Sequence, residues 1–249
     1  MSELLLSKAA DGIAQLRLNR PQKRNAINLS MKNAIADALT EWGEDSSVRV
    51  LVISSEGQDF ATGADVSELA AWTSVDHDRL QTNRMWESLQ MFAKPKVAAV
   101  SGRAWGGGCE LAMTCDIIVA DKTASFAQPE IRLGVSPGAG GVQRLLRRVG
   151  RSVGMRMVLT GEPLNADDAL RSGLVSELVE SEPRKRALDI AAIIAAMPPM
   201  AVRAITDLAS AADNLSLEAG LKLERQTFVS LCDSEAAHRL MLAFIVKTR

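Results

Sequence analysis

Between residues 13 and 18 the segment IAQLRL alternates, placing Ala14, Leu16 and Leu18 on one side after an Asp11-Gly12 turn. That period marks a half-buried strand. From Leu29 to Trp42 the period changes: Met31, Ile35, Ala38, Leu39 and Trp42 recur at helical spacing, with Ser30 placed to cap the start and Gly43 to stop the end. Three further runs, VRVLVI (48–53), KVAAVSG (96–102) and CDIIVA (115–120), are short, apolar and bounded by turn residues. Runs of that length read as buried strands. Helical segments separate them, and this alternation predicts an α/β fold with helices covering sheets.

From about residue 183 the strand signal disappears. Leu217, Leu221, Phe228 and Leu231, then Ala237, Leu240, Met241, Phe244 and Ile245, keep helical spacing, and AAMPPMA at 195–201 breaks the helical pattern. We therefore divide the chain into a core, residues 1–195, and a helical region, residues 196–249. The apolar face of that region has to be covered by the core or by another subunit.

Composition narrows the functional classes. The 249 residues are 47% hydrophobic and 24% charged with a formal net charge of −1, enough for a substantial core and without the basic patch that nucleic acid or an anionic membrane would require. Cys109, Cys115 and Cys232 form no CxxC pair, and only His77 and His238 could join them, so neither a zinc site nor a disulfide framework is expected. The opening residues lack a signal or transit pattern, and no apolar stretch is long enough to span a bilayer. The expected compartment is the cytoplasm.

The chemistry concentrates in WGGGCELAM, residues 105–113. Neither GGGCEL nor GAGGVQ completes GxGxxG, and no P-loop occurs, so nucleotide fingerprints fail. What remains is a strand, a bend at Ser101-Gly102, a glycine run and a helix opening near Gly107 or Gly108. Bare glycines there either admit a ligand to main-chain N–H groups or permit tight helix-to-strand contact. FATGADVSEL, residues 60–69, offers a second amide at Ala64, and two donors on one carbonyl oxygen would stabilise an enolate or tetrahedral anion. Glu110 lies one helical turn beyond Gly107. Glu130, after Pro129 and among Phe126, Ile131 and Leu133, is a second acid.

These segments, together with LNRPQKRNAIN, KPKVAAVSGRAWGGGCELAMTCDIIVA, SFAQPEIRLGVSPGAGGVQRL, MVLTGEPLNADDALRSGLVSELV and the final AFIVKTR, resemble the enoyl-CoA hydratase/isomerase (crotonase) family in order along the chain. The resemblance implies the crotonase fold, repeated ββα units followed by a helical trimerisation region, assembled as a homotrimer or a dimer of trimers. It implies that the amides of Ala64 and Gly107 hold a thioester oxygen and that Glu110 and Glu130 add water across the 2,3 double bond of an enoyl-CoA. We assign water activation to Glu110 and proton donation at C2 to Glu130. Coenzyme A is then part of the substrate, with no separate cofactor or metal, near Ala26, Ala61, Asp65 and Val66, with Lys23 or Arg24 at phosphate. Phe244 and Lys247 match positions that reach a neighbouring subunit's CoA. Trp105 stands where a smaller residue is common and is expected to shape the acyl pocket. Family members with other reactions often lack one acid; having both favours hydration over double-bond isomerisation, another acyl-CoA lyase reaction or a noncatalytic, RNA-binding role.

Overall fold

In the computed structural model, which describes residues 2–9 and 11–247 and leaves the side chain of Lys247 undescribed, the apolar runs form one large sheet. Strands β1 (Leu4–Lys8), β2 (Ile13–Leu18), β3 (Val50–Ser55), β4 (Lys96–Val100), β6 (Ile117–Asp121) and β9 (Glu177–Val179) lie in the order β1-β2-β3-β4-β6-β9. β1 pairs antiparallel with β2, and every later pairing is parallel. A second sheet contains β5 (Arg103–Trp105), β7 (Ser125–Ala127) and β8 (Leu164–Asn165).

Parallel sheets are covered on both faces, and that explains why VRVLVI is continuously apolar rather than alternating. Leu51 and Ile53 face the main core, beside Ile35 and Leu39 of α1 (Leu29–Glu44) and Leu111 of α5 (Gly107–Met113). Val50 and Val52 face the other way, with Val97, Val119 and the buried Ala187 and Ala191 of α8 (Pro183–Ala195). Burying each such side chain fully contributes about 1.5–3 kcal/mol.

The ββα rhythm is visible in the path of the chain. A strand of the large sheet leads to a short segment at the small sheet and then to a helix: β3, the Ala61–Ala104 bridge and α2 (Val66–Leu69); β4, β5 and α5; β6, β7 and α6 (Gly141–Thr160). Helices α3 (Ser74–Arg79) and α4 (Arg84–Met91) return the chain to β4, and α7 (Ala166–Arg171) leads to β9. The 61–64 segment and β5 run almost directly into α2 and α5, and β7 reaches α6 through the 3-10 turn Pro129–Leu133, so loop amides and helix N-termini gather at one place.

Two local expectations are corrected. The helix α1 is capped by Asn28, whose side chain accepts from Met31 N–H at 2.9 Å, and Ser30 already lies inside the helix. Gly43 does not end it; the helix continues to Glu44. After α8 the chain turns by 114° into α9 (Pro199–Ala212), followed by α10 (Leu217–Cys232) and α11 (Glu235–Lys247). No described residue after Ala191 is buried. No single helix among the described residues is long and apolar enough to cross a membrane.

Candidate active site

The glycine run turns from β5 into α5 at Gly106, which has φ 52° and ψ −125° and donates its N–H to Ala127 O at 2.8 Å. That positive φ suits glycine, and the next amide, Gly107 N–H, follows at the start of α5. Facing it is residue 64. The bridge there is made by Ile27 N–H to Gly63 O and Asp65 N–H to Ile27 O, at 2.8 and 3.1 Å, which leaves Ala64 N–H out of the ladder. The two amide-bearing residues are close: a Cβ on Gly107 would stand 3.5 Å from Ala64 N, and one on Gly63 would stand 3.5 Å from Gly107 N. Gly108 serves the other purpose of a glycine run, since a Cβ there would fall 2.0 Å from Ala61 O.

Glu110 and Glu130 line the same cavity, of about 680 Å³, as Ala64 and Gly107. Glu110 is buried on α5, and its Oε1 accepts the N–H groups of Ala139 and Gly141 at 2.7 and 2.8 Å. These amides open α6, so the carboxylate sits at the positive end of a helix dipole. Burial raises the Glu110 pKa, opposed by both N–H bonds and by the charges of Arg144 and Lys32. Arg144 also donates to Ala139 O at 2.6 Å, fixing the loop that carries one of those amides.

Glu130 lies in a 3-10 turn, Pro129–Leu133. Its Oε1 rests against Gly106, where a Cβ would be 2.9 Å away. Burial, with a further push from the Glu110 charge, lifts its pKa to about 7 against the opposing bond from its own backbone N–H. The carboxamide of the fully buried Gln128 faces this acid, one of its terminal atoms 3.2 Å from both carboxyl oxygens. The expected apolar surroundings are only partly present: Phe126 is buried, but Ile131 and Leu133 are exposed.

The other sequence-derived positions divide. Val66 lines the cavity. Ala61 is fully buried in the bridge to Ala104, and Asp65 caps α2 while pairing with Arg20 at 2.7 Å, an ion pair that holds its carboxyl below the usual range. Ala26 is half-buried and Lys23 and Arg24 are exposed beside it, none of them on the cavity wall. Trp105 does not shape the pocket: its indole N–H donates to Ser125 Oγ at 3.1 Å, and the Arg103 guanidinium lies 5.2 Å from its ring centre. β5 directs this side chain away from the cavity, where Leu69, Trp72 and Trp86 stand instead. Phe244 is exposed on α11 and outside the cavity wall, and the Lys247 side chain lies outside the described residues.

Sequence reasoning missed Lys32, Gln128 and the Ala139 and Gly141 amides. Lys32 had a signal, because it precedes Ile35, Ala36 and Leu39 by three, four and seven residues, all of them buried.

Comparison with known proteins decides the lineage. A family model described as enoyl-CoA hydratase/isomerase matches residues 8–249. The chain belongs to that family. Among its relatives, the 2,3-dehydroadipyl-CoA hydratase of Escherichia coli K12 is 40% identical over 99% of this chain and 97% of its own length. The mitochondrial enoyl-CoA hydratase of Pongo abelii is 39% identical over 95% of this chain and 82% of its own. An enoyl-CoA hydratase subunit I structure from Geobacillus kaustophilus superposes with a TM-score of 0.94 at 34% identity, covering 99% and 96% of the two chains. The family's crotonase fold thus extends through the C-terminal helices.

Proposed function

We propose that this family member is an enoyl-CoA hydratase, adding water reversibly across the 2,3 double bond of a 2-enoyl-CoA to give a 3-hydroxyacyl-CoA. The observation that carries the reading is the meeting of two free amides and two differently held carboxylates on one cavity. The near-40% identity to hydratases over nearly whole chains supports the same reaction. The thioester oxygen would accept the N–H groups of Ala64 and Gly107, whose fixed dipoles stabilise the enolate oxygen; such a donor is worth about 3–4 kcal/mol in acyl-transfer enzymes.

Glu110 suits water activation, since its two N–H bonds both fall on Oε1 and counter the rise in pKa that burial causes. Its other oxygen can take the proton as water attacks C3. Glu130, with its pKa near 7, suits delivery of a proton to C2. This is the arrangement in which environment drives two like acids apart. The stoichiometry needs only the thioester and water, with CoA carried in as part of the substrate.

The test is hydration of crotonyl-CoA, followed by loss of its conjugated absorbance. Glu110→Gln and Glu130→Gln are each expected to lower kcat by roughly 10²–10⁴-fold, with thioester binding retained by calorimetry. Full hydration by the double variant refutes the assignment. Appearance of conjugated absorbance from a 3-enoyl-CoA, without crotonyl-CoA turnover, would assign isomerisation instead.

We further propose that the chain works as a homotrimer or dimer of trimers. Met200, Ile205, Leu217, Leu221 and Phe228 are exposed on α9 and α10, and large apolar side chains left uncovered together suit a subunit interface. In that assembly Phe244 and Lys247 would meet a neighbouring subunit's CoA, with Lys23 or Arg24 at its phosphates. Sedimentation equilibrium giving a monomer mass at micromolar concentration would reject it. The cysteines Cys109, Cys115 and Cys232 are free thiols, which suits a reducing compartment such as the cytoplasm.

A further inference from the structure

Lys32 sits in the first turns of α1 with its side chain on the wall of the active-site cavity, yet the residue is only 8% exposed. Three polar side chains on that wall are buried. Glu110 accepts two amides and Thr82 is bonded to His77 Nδ1 at 2.9 Å, whereas Lys32 Nζ makes neither a hydrogen bond nor an ion pair among the described residues. Apolar neighbours on the wall include Ile27, Leu69 and Trp86.

This charge does not serve the fold. A cation close to the N-terminus of α1 opposes the helix dipole, and burial lowers the lysine pKa against the pull of Glu68 and Glu110. Glu68 is already committed, accepting Leu29 N–H at 2.8 Å. Glu110 already accepts two amides and lies near the Arg144 charge, so Lys32 is not its only compensation. With no hydrogen-bonding protein partner among the described residues, the ammonium turns to the open cavity, and an anion brought in with the ligand would pair with it as the ligand displaces water.

We propose that Lys32 receives a carboxylate at the far end of the acyl group, making ω-carboxylated 2-enoyl-CoA thioesters a substrate class of this site. The assignment rests on the hydratase reading for the location of the acyl chain. A carboxylate is the fitting partner because it supplies a full charge and two acceptor oxygens to three ammonium donors.

The experiment compares affinities by titration calorimetry for hexanoyl-CoA and octanoyl-CoA and for the ω-carboxylated acyl-CoAs of the same two lengths, with the wild type and Lys32→Met. These saturated thioesters have no bond to hydrate, so the measurement is independent of turnover. In at least one pair the carboxylated member is expected to bind the wild type roughly 10- to 100-fold more tightly. That preference should collapse in Lys32→Met, whose Tm should equal or exceed the wild-type value. Equal or weaker binding of both carboxylated members to the wild type, or a preference that survives Lys32→Met, overturns the proposal. Crotonyl-CoA turnover, measured beside it, reports separately on the hydratase reading. Loss of that turnover with the preference intact would fault the reaction and leave the carboxylate site standing.

Discussion

Alanine at position 108 sets two known effects against each other. Helix propensity favours alanine over glycine by about 1 kcal/mol inside a helix, so α5 considered alone would be stabilised. The contact opposes this: the new Cβ would stand 2.0 Å from Ala61 O and 2.7 Å from Ala61 C, where real Cβ atoms stay beyond 3.0 Å. Both neighbours are main chain, so α5 and the 61–64 segment must separate by about 1 Å. Overpacking of this kind costs about 1–3 kcal/mol, enough to exceed the propensity gain. The expected net loss is about 1 kcal/mol, or roughly 2–4 °C in Tm for a chain of this size. The same shift pulls Gly107 N–H away from Ala64 N–H, and misplacement by about 1 Å typically lowers kcat about 10²-fold. Crotonyl-CoA hydration and scanning calorimetry read the two effects. Gly43→Ala in α1 is the control, because its Cβ would meet only Phe92 Cδ2 at 3.9 Å, and it should gain about 0.5–1 kcal/mol. A Gly108→Ala protein with wild-type kcat and unchanged or higher Tm would refute the idea that this close contact sets the spacing of the amides.

Hydration should decline as pH rises through about 7, where Glu130 loses the proton it is to deliver; a kcat/KM profile flat across that range would separate Glu130 from the proton-donor role. Folding raises that pKa from 4.5 to about 7, so the native state holds the proton more firmly between those values, and stability falls as pH rises through this window. Denaturant midpoints should therefore show the wild type losing ground to Glu130→Gln from pH 4.5 to 7, and a constant gap would contradict the shift. Ser54 Oγ, on β3, is buried with no hydrogen-bond partner among the described residues. Ser54→Ala is accordingly expected to raise stability by about 1 kcal/mol, and a comparable loss on thermal melting would reveal a partner for the hydroxyl.

Four strands of the large sheet, β2, β3, β4 and β6, were legible from alternation or from short apolar runs between turn residues, unlike β1 and the three-residue β9, and α1 was legible because its buried face repeats at helical spacing over four turns. The small sheet was not. β5 and β7 have three residues each and β8 two, too few for any period, and their existence depends on partners distant in the chain. That loss misdirected Trp105: without β5 as a strand there was no way to tell which side of the backbone carried the indole. Lys32 went unnoticed for a different reason. A lysine beside an apolar stripe ordinarily reaches solvent, and only the wall formed by Leu69 and Trp86, more than thirty residues later, encloses it.

Glu110 and Glu130 are the same residue type, and nothing within a few positions of either would make one a base and the other an acid. The difference comes from what the fold brings to each. Burial raises the pKa of both, but only Glu110 meets the amides of Ala139 and Gly141, 29 and 31 residues away at the start of α6, donors that oppose the rise. Glu130 meets burial and the Glu110 charge, both of which favour its neutral form. In the proposed reaction the glycine-rich loop at 138–141 takes part although it carries no titratable group, because Gly140, at φ 92°, lets the amides of Ala139 and Gly141 close on one carboxylate oxygen. Moving that loop would shift both acids together: a Glu110 deprived of its amides would lose charge, and the push it gives Glu130 would weaken with it.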